Sequence, residues 1–481
     1  MTVFARRLAG ASLIYGLGGV LSRMVGLLLL PLLTRYLAPG DYGVIAMLAV
    51  MTNLLLGAVT LGTGNSMGIC FHEAKESAQR SAVVWSTAAV VISSAAVWTL
   101  AGVSLSSWIS ELLFSSNAYA VAVSLAFGQL AVSAAVVPLL GRWRLEEKAR
   151  PYVAATLSLT LATTVVNLYL VVVLERGLFG MLWGTFAVQA FYCVVLYLLF
   201  ALKDRPRIER EWMQRVVRVG WPSIFGVGAF FLLDFGGRVM INHFAGLSAL
   251  GVYSIGLGLG LGMAIFAEQA FGAAWPAFFL SFYDKRDEAA AVFGRVLQYY
   301  LLVFLTLAAA FFLLAKPVVE TLVTEPFHGA AHVVGFIALC SVLKGVYLIF
   351  LPGLYFHQKL HIQTGLEWIG ALVGLLACGI LVPKLGIVGA ASGTLVGYLV
   401  LCVATAIVAR RYLPIVVDMP RLALQVAVFA GIAALSFVDL GADLLRDWLM
   451  RGTIFVLFAV LVCGGLLRDV WRDMWREFQL K

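Results

Sequence analysis

Uncharged runs of about 20 residues, rich in Leu, Val, Ala and Gly, alternate along this chain with short segments that gather the charges. As a helix, roughly 20 apolar residues at 1.5 Å each cross the ~30 Å hydrocarbon layer of a bilayer. A membrane-crossing strand would alternate apolar and polar positions with a period of two, and that alternation is lacking here. The pattern predicts an all-α integral membrane protein with 14 transmembrane helices, at 9–33, 42–68, 82–104, 118–140, 152–174, 178–201, 216–243, 248–273, 296–315, 329–351, 362–382, 386–409, 420–438 and 452–467. The first run follows Arg6 and Arg7 but has no small-residue cleavage site and leads into a second span, so it reads as a retained helix rather than a signal peptide.

Composition agrees, with 62% of residues hydrophobic and 12% charged, against about a quarter charged in soluble domains. The charges set the orientation. Of 34 Lys and Arg, 25 fall on the side of the N-terminus, with Arg218 and Arg421 at span ends counted there, and six on the opposite side, leaving Arg23, Arg238 and Lys344 inside spans. Positive loops stay inside, so both termini are expected in the cytoplasm of a multi-pass inner-membrane protein. The net charge of +9 is then topology and contact with anionic lipid, and no nucleic-acid motif accompanies it. The six cysteines are scattered without C-x-x-C or nearby His, and read as small buried hydrophobes rather than metal ligands.

The chain also repeats itself. "TRYLAPGDYGVIA" at 34–46 lies against "NHFAGLSALGVYS" at 242–254, and "RGLFGMLWGTF" at 176–186 against "LGIVGAASGTL" at 385–395, at offsets of 208 and 209. Both alignments place helix 1 on helix 7 and helix 6 on helix 12. Six spans per repeat is an even number, so the two halves share one orientation and enclose a cavity about an axis along the membrane normal. The expected organisation is an N-terminal lobe at 1–201, a basic cytoplasmic linker at 202–215, a second lobe at 216–409, and two further helices with a tail at 410–481. The repeated glycines, 177, 180 and 184 with 386, 389 and 393, read as points of close helix packing.

A charge inside a span is costly, so each needs a reason. Arg23 shares a small, polar helix face with Gly16, Gly19, Ser22 and Gly26. It reads as a cavity cation meeting an anionic substrate, or as the partner of a distant carboxylate such as Glu268. Asp234 and Arg238 are four apart on helix 7 and can pair within it, which leaves Arg238 either structural or substrate-facing. Lys344 on helix 10 is a third candidate cation, and its flexible stem can snorkel. Asp234 and Glu268 could alternatively hold a coupling ion, H⁺ or Na⁺. The amides Asn53, Asn65, Gln129, Asn167, Gln189 and Gln269 read first as interhelical hydrogen-bonding groups and second as sugar contacts. Glu325, Asp439, Asp443 and Asp447 read as solvated outer loop ends.

No Walker A, G-x-S-x-G or H-E-x-x-H motif is present, outer loops are short, and neither a cofactor nor a catalytic group is expected. "LPLLTRYLAPGDYGVIAM" at 31–48, "GRVMINHFAGLSALGVYSIG" at 237–256 and "GIVGAASGTLVGY" at 386–398 resemble motifs of bacterial polysaccharide exporters, the oligosaccharide flippase branch of the multidrug/oligosaccharidyl-lipid/polysaccharide exporter superfamily. The resemblance covers essentially the whole chain. It implies a V-shaped, two-lobed carrier that flips a polyprenyl-pyrophosphate-linked oligosaccharide to the outer leaflet, beside other polysaccharide-assembly proteins, with Arg23, Lys344 and Arg238 as cavity cations. A cation-coupled multidrug exporter on the same scaffold, and a membrane polysaccharide polymerase or ligase, are the alternatives.

Overall fold

The computed structural model describes residues 28–221, 228–265, 271–438 and 443–462, with 21, 24–26 and 267. These residues are helical with short connections, and no strand occurs among them. The chain packs as two compact units that divide between Phe231 and Leu232.

The first unit contains α1 (Pro39–Val59), α2 (Thr63–Glu73), α3 (Ser77–Ser104), α4 (Ser106–Phe114), α5 (Ala120–Leu145), α6 (Ala149–Leu168), α7 (Gly177–Lys203) and α8 (Arg210–Gly220). The predicted span 42–68 is broken here, because Leu61 (φ 51°) and Gly62 (φ 67°) both take left-handed backbone that ends α1 and starts α2. The predicted linker holds α8, whose Trp212, Val216 and Gly220 turn inward while Arg210, Gln214 and Arg218 stay exposed, an amphipathic pattern at helical spacing. Its apolar side closes a core of Met67, Cys70, Phe71, Val83 and Trp85, and the Arg215 guanidinium meets the Glu73 carboxylate through two bonds of 2.7 and 2.9 Å. Residues 210–220 therefore belong to the first unit, and the predicted seventh span starts too early. Arg142 at the same end bonds both Glu146 and Asp204.

The second unit takes in α9 (Gly228–Gly260), α10 (Phe271–Leu280), α11 (Arg286–Leu313), α12 (Ala315–Leu322), α13 (Ala331–Phe350), α14 (Leu360–Ala409), α15 (Met419–Leu435) and α16 (Leu444–Leu461). Nine helices among the described residues are long and apolar enough to cross a membrane. Two of these, α9 and α14, are each two helices turned at a glycine, Gly246 (φ 82°) and Gly386 (φ 56°). Gly386 has a counterpart in the first unit: its repeat partner Gly177 opens α7 at φ 51°. The same motif then brings helices together, since a Cβ on Gly180 or Gly389 would lie 3.2 Å from Leu170 O or 2.3 Å from Leu381 O.

Asp447 is not a solvated loop end. It is 1% exposed, and its Oδ1 accepts the Arg451 Nε at 2.8 Å. Arg451, also 1% exposed, spends its other donors on the carbonyls of Leu313, Ser436 and Val438, pinning α16 to the ends of α11 and α15. The i, i+4 spacing brings the two charges together, and the helix-end carbonyls make burying the guanidinium tolerable.

Candidate functional site: an intramembrane charge cluster in the second unit

Gly397 on α14 faces Leu233 on α9 so closely that a Cβ would sit 2.8 Å from the leucine side chain and 2.9 Å from the Gly374 Cα. That approach brings the neighbours of these two residues into contact. Tyr398, 1% exposed, donates its hydroxyl to Asp234 Oδ1 at 2.5 Å. From α13, Lys344 Nζ reaches both carboxylate oxygens at 3.2 Å and lies 5.3 Å from the Tyr398 ring centre. The carboxylate is the accessible member, with a side chain 36% exposed against 20% for Lys344.

Asp234 thus pairs, but with Lys344 from a different helix and not with Arg238, as helical spacing alone suggests. The Arg238 guanidinium packs on the Phe235 ring at 4.4 Å, and its Nε has no hydrogen-bond partner among the described residues. Asp234, Arg238 and Lys344 together carry one more cation than carboxylate, and Glu367 brings a second, separately bonded carboxylate to α14. Arg23 and Glu268 lie outside the described residues.

One turn beyond Lys344 on α13, the Tyr347 hydroxyl donates to Glu367 Oε1 at 2.5 Å, and Gln363 Nε2 donates to the same oxygen at 2.9 Å. Glu367 is 5% exposed. Tyr398, Tyr347 and Gln363 carry no sequence signal, since an isolated tyrosine or glutamine in an apolar helix reads as interfacial or packing. The amides of the first unit act between helices in two cases, Asn167 to Thr185 at 2.9 Å and Gln129 to Leu182 O at 2.8 Å, while Asn53 bonds back to its own helix. Among the described residues no His, Cys, Asp and Glu cluster could hold a metal.

The family model described as polysaccharide biosynthesis protein matches residues 32–332, well over half of the chain. The chain belongs to that family. Among curated proteins no sequence matches it. Its fold is that of the lipid II flippase MurJ in an inward closed conformation, with a TM-score of 0.71 at 12% identity over 95% of this chain and 100% of that one. An inward-facing multidrug resistance MATE family transporter of the MOP superfamily gives 0.65 at 14% identity, over 86% of this chain and 95% of its own. A MOP superfamily transporter from Pyrococcus furiosus, noted for the reverse polarity of its binding pocket, gives 0.55 at 17% identity over 87% and 95% of the two chains. This member of the polysaccharide biosynthesis family thus has an all-α membrane transporter fold.

Proposed function

We propose that this protein flips a polyprenyl-pyrophosphate-linked oligosaccharide from the cytoplasmic to the outer leaflet of the bacterial inner membrane. The first unit, which ends at Phe231, and residues 232–409 of the second act as the two lobes of an alternating-access carrier, with both termini in the cytoplasm. One observation carries the reading: within the membrane the second unit holds two cations against one accessible carboxylate, and the partner of that carboxylate is already one of the cations. Arg238, whose buried guanidinium Nε is unbonded among the described residues, suits a diphosphate, because an anion supplied by the substrate lowers the cost of keeping it there. The polysaccharide biosynthesis family and the flippase-like fold support the same substrate class. Arg23 is the corresponding cation of the first lobe, and Lys344 and Arg238 those of the second. Asp234 or Glu268 is the seat of a coupling H⁺ or Na⁺, and other polysaccharide-assembly proteins supply and consume the lipid.

The test is transport of a fluorescent polyprenyl-pyrophosphate oligosaccharide across proteoliposomes holding the purified protein. Arg23→Ala should abolish flipping at an unchanged yield of folded protein; normal flipping by Arg23→Ala removes that residue from the mechanism. The half-exposed Asp234 carboxylate favours one second reading, extrusion of cationic drugs on the same fold. Resistance conferred on a drug-sensitive host that makes no lipid-linked sugar would establish it.

A further inference from the structure

Between α3, α5 and α7 the first unit holds an apolar groove of about 810 Å³. Its floor on α3 runs from Trp85 to Leu100, fifteen residue steps that span about 22 Å of helix. Ala96 of α3 and Ala131 of α5 leave its width, and Leu100 and Leu198 at its edges are 71% and 58% exposed, so the groove opens sideways to lipid. One end is chemically different. Ser86 bonds the backbone N–H of Glu209 at 2.9 Å, which brings the basic segment to that end, where Pro206 closes the groove between the exposed Arg205 and Arg207. Trp85 at the same end is 7% exposed, and its indole N–H has no acceptor among the described residues. A phosphate ester at that end would meet the exposed Arg205, with Arg207, 3.6 Å from the Glu209 carboxylate, beside it.

Length selects the hydrocarbon. A phospholipid acyl chain covers one leaflet, about half of the ~30 Å core, so phospholipid would need a chain from each leaflet to fill the groove. An isoprenoid tail, longer than a leaflet, covers all of it. We propose that this groove binds the isoprenoid tail of a polyprenyl phosphate, with the phosphate at the end marked by Arg205, Arg207 and Trp85. The inference rests on the flippase reading for why such a lipid meets the protein, yet it is a binding site with a readout of its own.

The experiment uses the full chain in nanodiscs of phosphatidylethanolamine and phosphatidylglycerol, with an undecaprenyl phosphate carrying a diazirine in its tail. After irradiation, labelled peptides are mapped. Label is expected between residues 92 and 100 and between 131 and 135. Ala96→Trp should cut that label at least fivefold without moving the unfolding midpoint, with Ile92→Trp as the second groove-filling variant. Arg205→Glu with Arg207→Glu should lower it at least threefold, and a phosphatidylglycerol bearing the same diazirine should give under a fifth of it. Label that ignores both tryptophans, equal labelling by phosphatidylglycerol, or label confined to the second unit would each overturn the site. Flipping is measured on the same preparation: flipping with an unlabelled groove sinks this site alone, and a labelled groove without flipping sinks only the transport reading.

Discussion

Lys344 reaches Asp234 across a gap that neither residue's own helix defines, and the tyrosine hydroxyl that completes the site comes from a third helix. Removing the amine leaves the Asp234 carboxylate without its cation. For a pair with side chains 20% and 36% exposed, Lys344→Ala should cost about 1–3 kcal/mol, between the values typical of exposed and buried pairs. The thermal midpoint in detergent, compared with that of Lys344→Ala with Asp234→Asn, reads this directly. The double variant should regain most of the loss, and a double variant as unstable as the single would show that Lys344 acts by packing. Arg451 is the harsher case. With Arg451→Leu, Asp447 at 1% exposure loses its cation, and three carbonyls lose donors; a loss of about 3–5 kcal/mol is expected in the same measurement.

At the scale of elements, the duplication makes its own prediction. Gly177 and Gly386 take φ of 51° and 56°, and a Cβ on either would meet nothing within 4 Å. Alanine there strains the backbone without a clash, at about 1–2 kcal/mol each. The two variants should lower the midpoint by similar amounts, and additively, because the sites lie in different units. Helix α8 responds to pH. The hydrogen bond from Arg215 holds the exposed Glu73 carboxylate below the ordinary glutamate range. A depressed folded pKa means the contribution is present above the ordinary value and is lost as pH falls through the lowered one. Hydrogen exchange over 210–220 should therefore quicken as pH drops below about 4, once corrected for intrinsic rates, and Glu73→Gln should show the quick exchange already at neutral pH. The span pattern made most helices legible because length and hydropathy are one-dimensional quantities. It missed the break at Leu61, where a leucine takes left-handed backbone that its side chain does not announce. It also missed that α8 has an apolar face to bury, since the charges of 203–215 mask the spacing of Trp212 and Val216.

For the whole molecule, what the sequence could reveal divides along the same line. Cost per charge picks out Arg238, Lys344 and Asp234 without any structure, because ionised groups at membrane depth are few and expensive. Which of them pair is a matter of α9 lying against α14 at Gly374 and Gly397 and of α13 bringing Lys344 to Asp234, and spacing along one helix pointed instead to Asp234 with Arg238. The consequence is a charge balance that transport can read. If the surplus positive charge is what receives a diphosphate, Arg238→Gln removes it while leaving the Asp234–Lys344 pair in place. Flipping of the pyrophosphate-linked oligosaccharide in proteoliposomes should then fall tenfold or more, about 1.4 kcal/mol of lost differential binding, with the thermal midpoint held. Arg238→Lys should restore much of the rate, since charge and not a forked donor is required. Loss of rate in Arg238→Gln that Arg238→Lys does not repair would instead assign Arg238 to packing on Phe235 and leave the anion to the first lobe.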